Sequence, residues 1–217
     1  IYGITKFILL LKNTRGQLED VIFLSELLRQ LNYLAPRTML VNAKINDVSS
    51  QMIFQEKAVK ELLEYNLRRD GPIFEGDEKY LWRLAQEAPS NQLSNHAAGL
   101  VPLIKAGFNS MLAKQNNTSF IPKSENHALM SFNALSNLNV IYLLYSNMYN
   151  VSKTNYYETY RYYTLNNHLL GLYESENILK LDVYNLLIQS ATGYHGLVPN
   201  NRKFYWNSID NYFEPIN

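Results

Sequence analysis

The chain has 217 residues, 47% of them hydrophobic and 18% charged, with a formal net charge of +1. That length suffices for one large domain with a sizeable core. The absence of cysteine excludes a disulfide framework, cysteine-based zinc sites and thiol catalysis. Lys and Arg (20) balance Asp and Glu (19), and no dense basic run occurs beyond Arg68-Arg69. This argues against wrapping duplex nucleic acid, whose affinity comes from neutralising phosphates.

In chain order, Phe7 to Leu11 is an apolar block between Lys6 and Lys12. It is too short to span a bilayer and lacks a small-residue cleavage site, so it reads as neither a membrane span nor a signal peptide. Compartment is left open. Thr14 and Gln17 fit a capping box, and Leu18, Val21, Ile22, Leu28 and Leu31 recur at helical spacing up to Ala35-Pro36, where proline stops the helix. Thr38 to Ile45 reads equally as a helix start or a short extended piece. Ser50 to Arg69 is predicted as a helix with Ile53, Val59, Leu62, Leu63 and Leu67 inside, and with i,i+4 pairs Glu56–Lys60, Lys57–Glu61 and Lys60–Glu64 outside.

Asp70-Gly71-Pro72 breaks that helix, and a loop continues through Glu75-Gly76. Asp77 is placed to cap a short helix ending at Pro89, and a further helix is predicted from His96 to Gln115. Residues 116–123 are a polar connection and the one place for a sub-boundary in an otherwise single domain. Ser124 caps a long helix to about Tyr149 with Leu129, Phe132, Leu135, Leu138, Tyr142, Tyr145 and Tyr149 inward. A Tyr-rich helix to about Tyr173 and a Leu-rich one from Glu176 to Ser190 follow. Thr192 to Gly196 breaks the pattern, and the tail from Asn200 is extended or carries one short helix. The expectation is an all-α fold, a single irregular bundle of about seven or eight helices joined by long polar loops.

No GxSxG, GxxxxGK[ST], GxGxxG, HExxH or HxxxH occurs, so no catalytic, cofactor or metal signature points to an enzyme. Two places could carry chemistry. Asp70, Glu75, Asp77 and Glu78 form an acidic cluster able to bind a cation or serve as acid and base, although simple helix capping explains them as well. Tyr194-His195, in a Gly-flanked break, could line a pocket. The tyrosines offer a partner face: Tyr156, Tyr160 and Tyr163 share one side of a helix with Arg161 nearby, a pattern that core packing also produces.

The leading expectation is a non-enzymatic structural or protein-interaction subunit, such as a helical coat or shell protein, partnered by other protein subunits. The neutral Asn/Ser/Tyr surface favours close protein contact. The alternatives are a helical carbohydrate-active or glycan-binding protein using the 70–78 segment with Tyr194 and His195, by fold-level analogy alone, and a single-stranded nucleic-acid binder using the tyrosine face.

Overall fold

Two residues, Asn46 and Asp47, set the architecture of the N-terminal half. Both have positive φ, 47° and 64°, a conformation these short polar side chains tolerate. Two successive positive φ values make the tight turn whose twist matches paired strands. The flanking segments therefore form a hairpin, β2 (Thr38–Ile45) and β3 (Val48–Glu56), registered from Thr38↔Gln55 to Ile45↔Val48. The apolar block at the start of the chain is β1 (Phe7–Leu11), which pairs with the other edge of β3, from Phe7↔Glu56 to Leu11↔Met52. The result is a three-stranded antiparallel sheet in the order β1-β3-β2. The computed structural model describes residues 3–11, 18–77, 79, 112–151, 170–197 and 201–217.

Helix α1 (Leu18–Gln30) packs against β2, where Thr38 Oγ1 donates to Ser25 Oγ at 3.3 Å with both residues buried. A short helix, α2 (Lys60–Tyr65), follows β3 and buries Leu62 and Leu63.

The second sheet draws on distant parts of the chain. β4 (Ile73–Gly76), β5 (Ala113–Gln115), β6 (Lys203–Asn207) and β7 (Tyr212–Ile216) lie in the order β5-β4-β6-β7, each pair antiparallel. The β6–β7 turn is tied by Asn207 Oδ1, which accepts the backbone N–H groups of Ile209 (3.1 Å) and Asp210 (3.3 Å), a local bond typical of Asn in turns. Alternation gives this sheet two faces. Phe74, Phe204 and Phe213 bury one face with Ala134, Leu138 and Ile141 of α3 (Glu125–Val151) and Leu181 of α4 (Ser175–Ser190). Ile73, Tyr205 and Ile216 bury part of the other face against Leu34, Leu62 and Leu63. α4 also reaches α1, through Tyr184 and Ile188 packed with Leu28 and Tyr33.

The two halves are stitched by backbone and by one arginine. Leu34 and Ile216 form a parallel bridge, and the Asn217 N–H donates to the Leu34 carbonyl at 3.0 Å. Arg68 Nε donates to both carboxylate oxygens of Glu214 (2.9 and 3.1 Å), and its other nitrogens reach Asn32 Oδ1, the Asn32 carbonyl and the Asn66 carbonyl.

This architecture overturns the all-α expectation: the protein is an α/β mix with two antiparallel sheets, not a helical bundle. The predicted helix from Ser50 to Arg69 is β3 followed by α2, and Thr38 to Ile45 is a strand. The charge ladder that suggested one continuous helix is mostly spent elsewhere. Glu56 is buried against Arg37 and Glu61 accepts from Thr5 Oγ1 at 2.7 Å, leaving Lys60–Glu64 at 3.0 Å as the helical pair. Glu75, placed on a loop, lies within β4, and Gln115, the expected end of a helix, lies within β5. The polar 116–123 connection contains a 3-10 turn over Thr118–Lys123 that buries Phe120. The inner face of α3 is as expected at Leu135, Leu138 and Tyr142 but differs in its first turns. Leu129 and Phe132 are exposed, while Ser131, Ala134, Leu138, Ile141 and Tyr142 are buried. Leu31, assigned to the inside of the first helix, is exposed beyond its end. The tail takes the extended alternative, as β6 and β7.

Helix α4 and the start of α3 match expectation closely, whereas α1 stops at Gln30, where Asn32 at φ 61° turns the chain well before the proline expected to end it. At the start of α3, Ser124 Oγ accepts the His127 N–H at 3.3 Å, the bond expected of an N-cap. The Thr14–Gln17 capping box, the short helix expected to end at Pro89, most of that over 96–115 and the Tyr-rich helix up to residue 169 lie outside the described residues; the expected end of the last, 170–173, is a turn at Gly171 (φ 80°) and not helix. Among the described residues, no helix is long and apolar enough to cross a membrane.

Candidate functional site

The cross-strand register of the four-stranded sheet puts a row of charge on one face. Glu75 of β4 stands opposite Lys114 of β5 and opposite Lys203 of β6, so the three side chains project on the same side. Lys114 Nζ lies 3.7 Å from Glu75 Oε1 and 3.4 Å from Asp77 Oδ1. Asp77 Oδ1 also accepts the Lys79 N–H at 3.2 Å, as a helix-capping aspartate would.

The structure therefore brings together Glu75 and Asp77 of the expected acidic cluster and separates Asp70 from them. Asp70 precedes β4 and Asp77 follows it, so the length of the strand lies between them. Asp70 is engaged by Lys123 at the end of the 3-10 turn. With Lys114 between Glu75 and Asp77, the two carboxylates already share a cation, which disfavours both a calcium site and an acid–base pair. Among the described residues, no group of three or more His, Cys, Asp or Glu is arranged to hold a metal ion.

The backbone of Tyr194 and His195 forms a second 3-10 turn, Tyr194–Leu197, directly after α4. Their side chains lie outside the described residues, as do Glu78, Tyr156, Tyr160, Arg161 and Tyr163. His127 is the histidine with a defined environment. Its Nδ1 is 2.6 Å from Ser124 Oγ and its ring meets Phe120 edge-on at 4.6 Å, a structural setting at a helix start.

A cavity of about 900 Å³ opens beside the charged row. One wall is built from the N-terminal half, with Asp20 of α1 and Lys57 just after β3. The facing wall is the polar end of the four-stranded sheet, with Glu75, Asn116 and Lys203. Thr192, Gly193 and Gly196, on either side of Tyr194-His195, close one end. The acidic strand and the Gly-flanked turn, two unrelated features of the sequence, thus border one space. Asn117, next to Asn116, holds this wall rigid: it is buried, its Oδ1 accepts the Ile73 N–H at 2.8 Å and its Nδ2 donates to the Gly71 carbonyl at 2.8 Å. Glu56 also reaches the cavity but is neutralised by the fork of Arg37, whose Nε donates to Oε2 at 2.9 Å.

The sequence gives no sign that Lys203, Asn116 and Lys57 line one cavity. The one available signal for Lys203 is the alternation in Lys203-Phe204-Tyr205-Trp206-Asn207, which places Lys203, Tyr205 and Asn207 on one side of a strand.

A different surface stands out on the three-stranded sheet. The register puts Phe7, Leu9 and Leu11 on the same face as Met39, Val41, Ile45, Val48, Met52 and Phe54. Within the strands the one charged group on this face is Glu56, already paired with Arg37. Leu11 is 49% exposed, Ile45 47% and Val48 68%. No protein-family model matches the chain, and no curated protein matches it in sequence.

Proposed function

We propose that this chain is a non-enzymatic protein-interaction subunit that associates with copies of itself through the apolar face of its three-stranded sheet. The observation that carries the reading is the uncharged row Phe7, Leu9, Leu11, Ile45 and Val48, all exposed on one face. These side chains border the buried Met52 and Phe54 of the same face, and exposed apolar surface marks interaction sites. Sheets of this type pack face to face at about 10 Å, with their side chains interdigitated. A two-fold axis would let the same face serve both partners, and a net charge of +1 leaves little repulsion between copies.

The test is mass by light scattering across a wide concentration range, on the unmodified protein and on Leu9→Lys and Leu11→Lys. The unmodified chain is expected to form dimers or larger species, and each lysine to shift it to monomer while far-ultraviolet circular dichroism stays unchanged. A wild-type chain that remains monomeric at its highest soluble concentration overturns the proposal, as does association that neither lysine weakens.

A further inference from the structure

The cavity between the two halves is separate from the self-association face and needs its own account. Its volume of about 900 Å³ falls within the range of pockets that enclose small molecules, roughly 300–1,000 Å³. What it would hold follows from the chemistry of its walls. With Glu56 paired off by Arg37, each wall is left with one charge of each sign, Asp20 with Lys57 on one side and Glu75 with Lys203 on the other. An anion site needs an excess of cations or a nest of backbone N–H groups, and a cation site needs an excess of carboxylates. Neither excess is present in this balanced set. Asn116 and Asn201 add side-chain amides, each both donor and acceptor. Such a surface is matched by groups that donate and accept at once, which is the behaviour of hydroxyls. Apolar residues of α1 and α4 complete the lining and suit the C–H faces of a sugar ring.

We propose that this cavity binds a neutral polyhydroxylated ligand, a short oligosaccharide, with Glu75 and Asn116 as its principal hydrogen-bonding groups. Glu75 lies on the inner strand β4 with its Oε1 3.7 Å from Lys114 Nζ, a neighbour that restrains its carboxylate beside the cavity. The fixed backbone around Asn117 pre-organises the neighbouring Asn116, which lowers the ordering cost of binding.

The experiment is isothermal titration of the full chain with neutral gluco-, manno-, xylo- and chito-oligosaccharides, with pyrophosphate and a sulfated oligosaccharide as charged counterparts. At least one neutral series is expected to bind, with an affinity that changes less than about twofold between low and high salt, since no net charge is neutralised. Glu75→Gln and Asn116→Ala are expected to weaken it about tenfold each, the loss of one or two hydrogen bonds. Asn201→Ala, in an exposed turn and so free of folding consequences, is expected to weaken it several-fold. Leu9→Lys is expected to leave it unchanged, which separates this inference from the self-association reading. Binding confined to the charged probes, no binding to any neutral series, or binding indifferent to all three cavity substitutions overturns the proposal.

Discussion

The two sheets of this protein differ in what lies against them. The four-stranded sheet has Phe74, Phe204 and Phe213 under α3 and α4 on one side and Ile73, Tyr205 and Ile216 under α2 on the other, all nearly inaccessible. The three-stranded sheet buries the centre of β3, at Met52, Ile53 and Phe54, yet its flanking strands stay exposed at alternate positions. Both sheets are antiparallel and rich in apolar residues, so composition does not separate them. The separation comes from the helices. One sheet recruits them from across the chain, whereas the other has α1 on one face and exposed apolar side chains on the opposite one. A sheet covered on both faces holds a fold together, and a sheet with apolar side chains exposed around a buried centre offers them to a partner.

Truncation in the covered sheet gives the largest expected effect. The Phe213 ring meets Trp206 at 4.7 Å, Phe204 at 6.0 Å and Phe74 at 6.2 Å between centroids. Phe213→Ala removes a member of this cluster and leaves a void that the rigid strands cannot close. The expected cost is about 3–5 kcal/mol, read as a fall in the denaturant midpoint. A loss below about 1 kcal/mol would show that this sheet is not the stabilising core.

Next in size is the arginine that joins the halves. Glu214 is 5% exposed and is satisfied by Arg68 together with Asn207 Nδ2 at 2.9 Å. Arg68→Ala strands a buried carboxylate, for which a cost of about 3 kcal/mol is expected. Arg68→Ala combined with Glu214→Gln should recover part of it, because the uncompensated charge is then gone. If the double variant is no better than the single one, the pair does not act as a charge couple.

Much of the helical half of the structure is legible in the sequence, because helices are local. The Ser124 cap, the Leu spacing of α4 and the breaker around Gly193 are each read within a few residues, while the first helix is ended by Asn32 and not, as expected, at Pro36. The N-terminal hairpin was also written locally, in the Asn46-Asp47 dipeptide between two apolar segments. The regular Glu/Lys spacing after it resembled a helix surface more strongly than the turn resembled a turn. The second sheet had no such signal. β4 pairs with β6 across more than a hundred residues, and nothing near Glu75 announces Lys203. The acidic residues could be read as a cluster, but a strand through the middle sends Asp70 and Asp77 to opposite ends. Composition marked candidate groups, and long-range pairing decided which of them meet.

Alkaline pH tests the covered interior through its tyrosines. Burial pushes the hydroxyls of Tyr184 and Tyr205 up to about 12, against about 10 in the unfolded chain. Below pH 10 both states keep the proton and the native state loses nothing. Between pH 10 and 12 the unfolded chain ionises while the folded one resists, so stability falls as pH rises through that window. By pH 11 the two groups together should remove on the order of 2–3 kcal/mol. Denaturant midpoints at pH 9, 10 and 11, with tyrosinate absorbance as a second probe, check this. Phe at both positions should make the fall shallower without abolishing it, since burial also raises Tyr142 and Tyr212, and an equally steep fall in that variant would place its origin elsewhere.

The smallest effect is expected on the exposed sheet, and it bears most directly on function. Leu11 ends β1 opposite Met52 and is 49% exposed. Leu11→Ala removes methyl groups already half in water, so the transfer loss is about half that of a buried leucine, and an open face leaves no sealed cavity. The expected cost in dilute solution is about 1 kcal/mol or less. If this face packs against a second copy, the same substitution should cost more as protein concentration rises, because association stabilises the wild-type fold by mass action and the variant gains less from it. Unfolding midpoints measured at low and high protein concentration separate the cases. A difference between wild type and variant that widens with concentration ties the exposed row to self-association. A small, constant difference leaves the row as surface without a partner copy, and a cost near that of Phe213→Ala would erase the contrast between the two sheets.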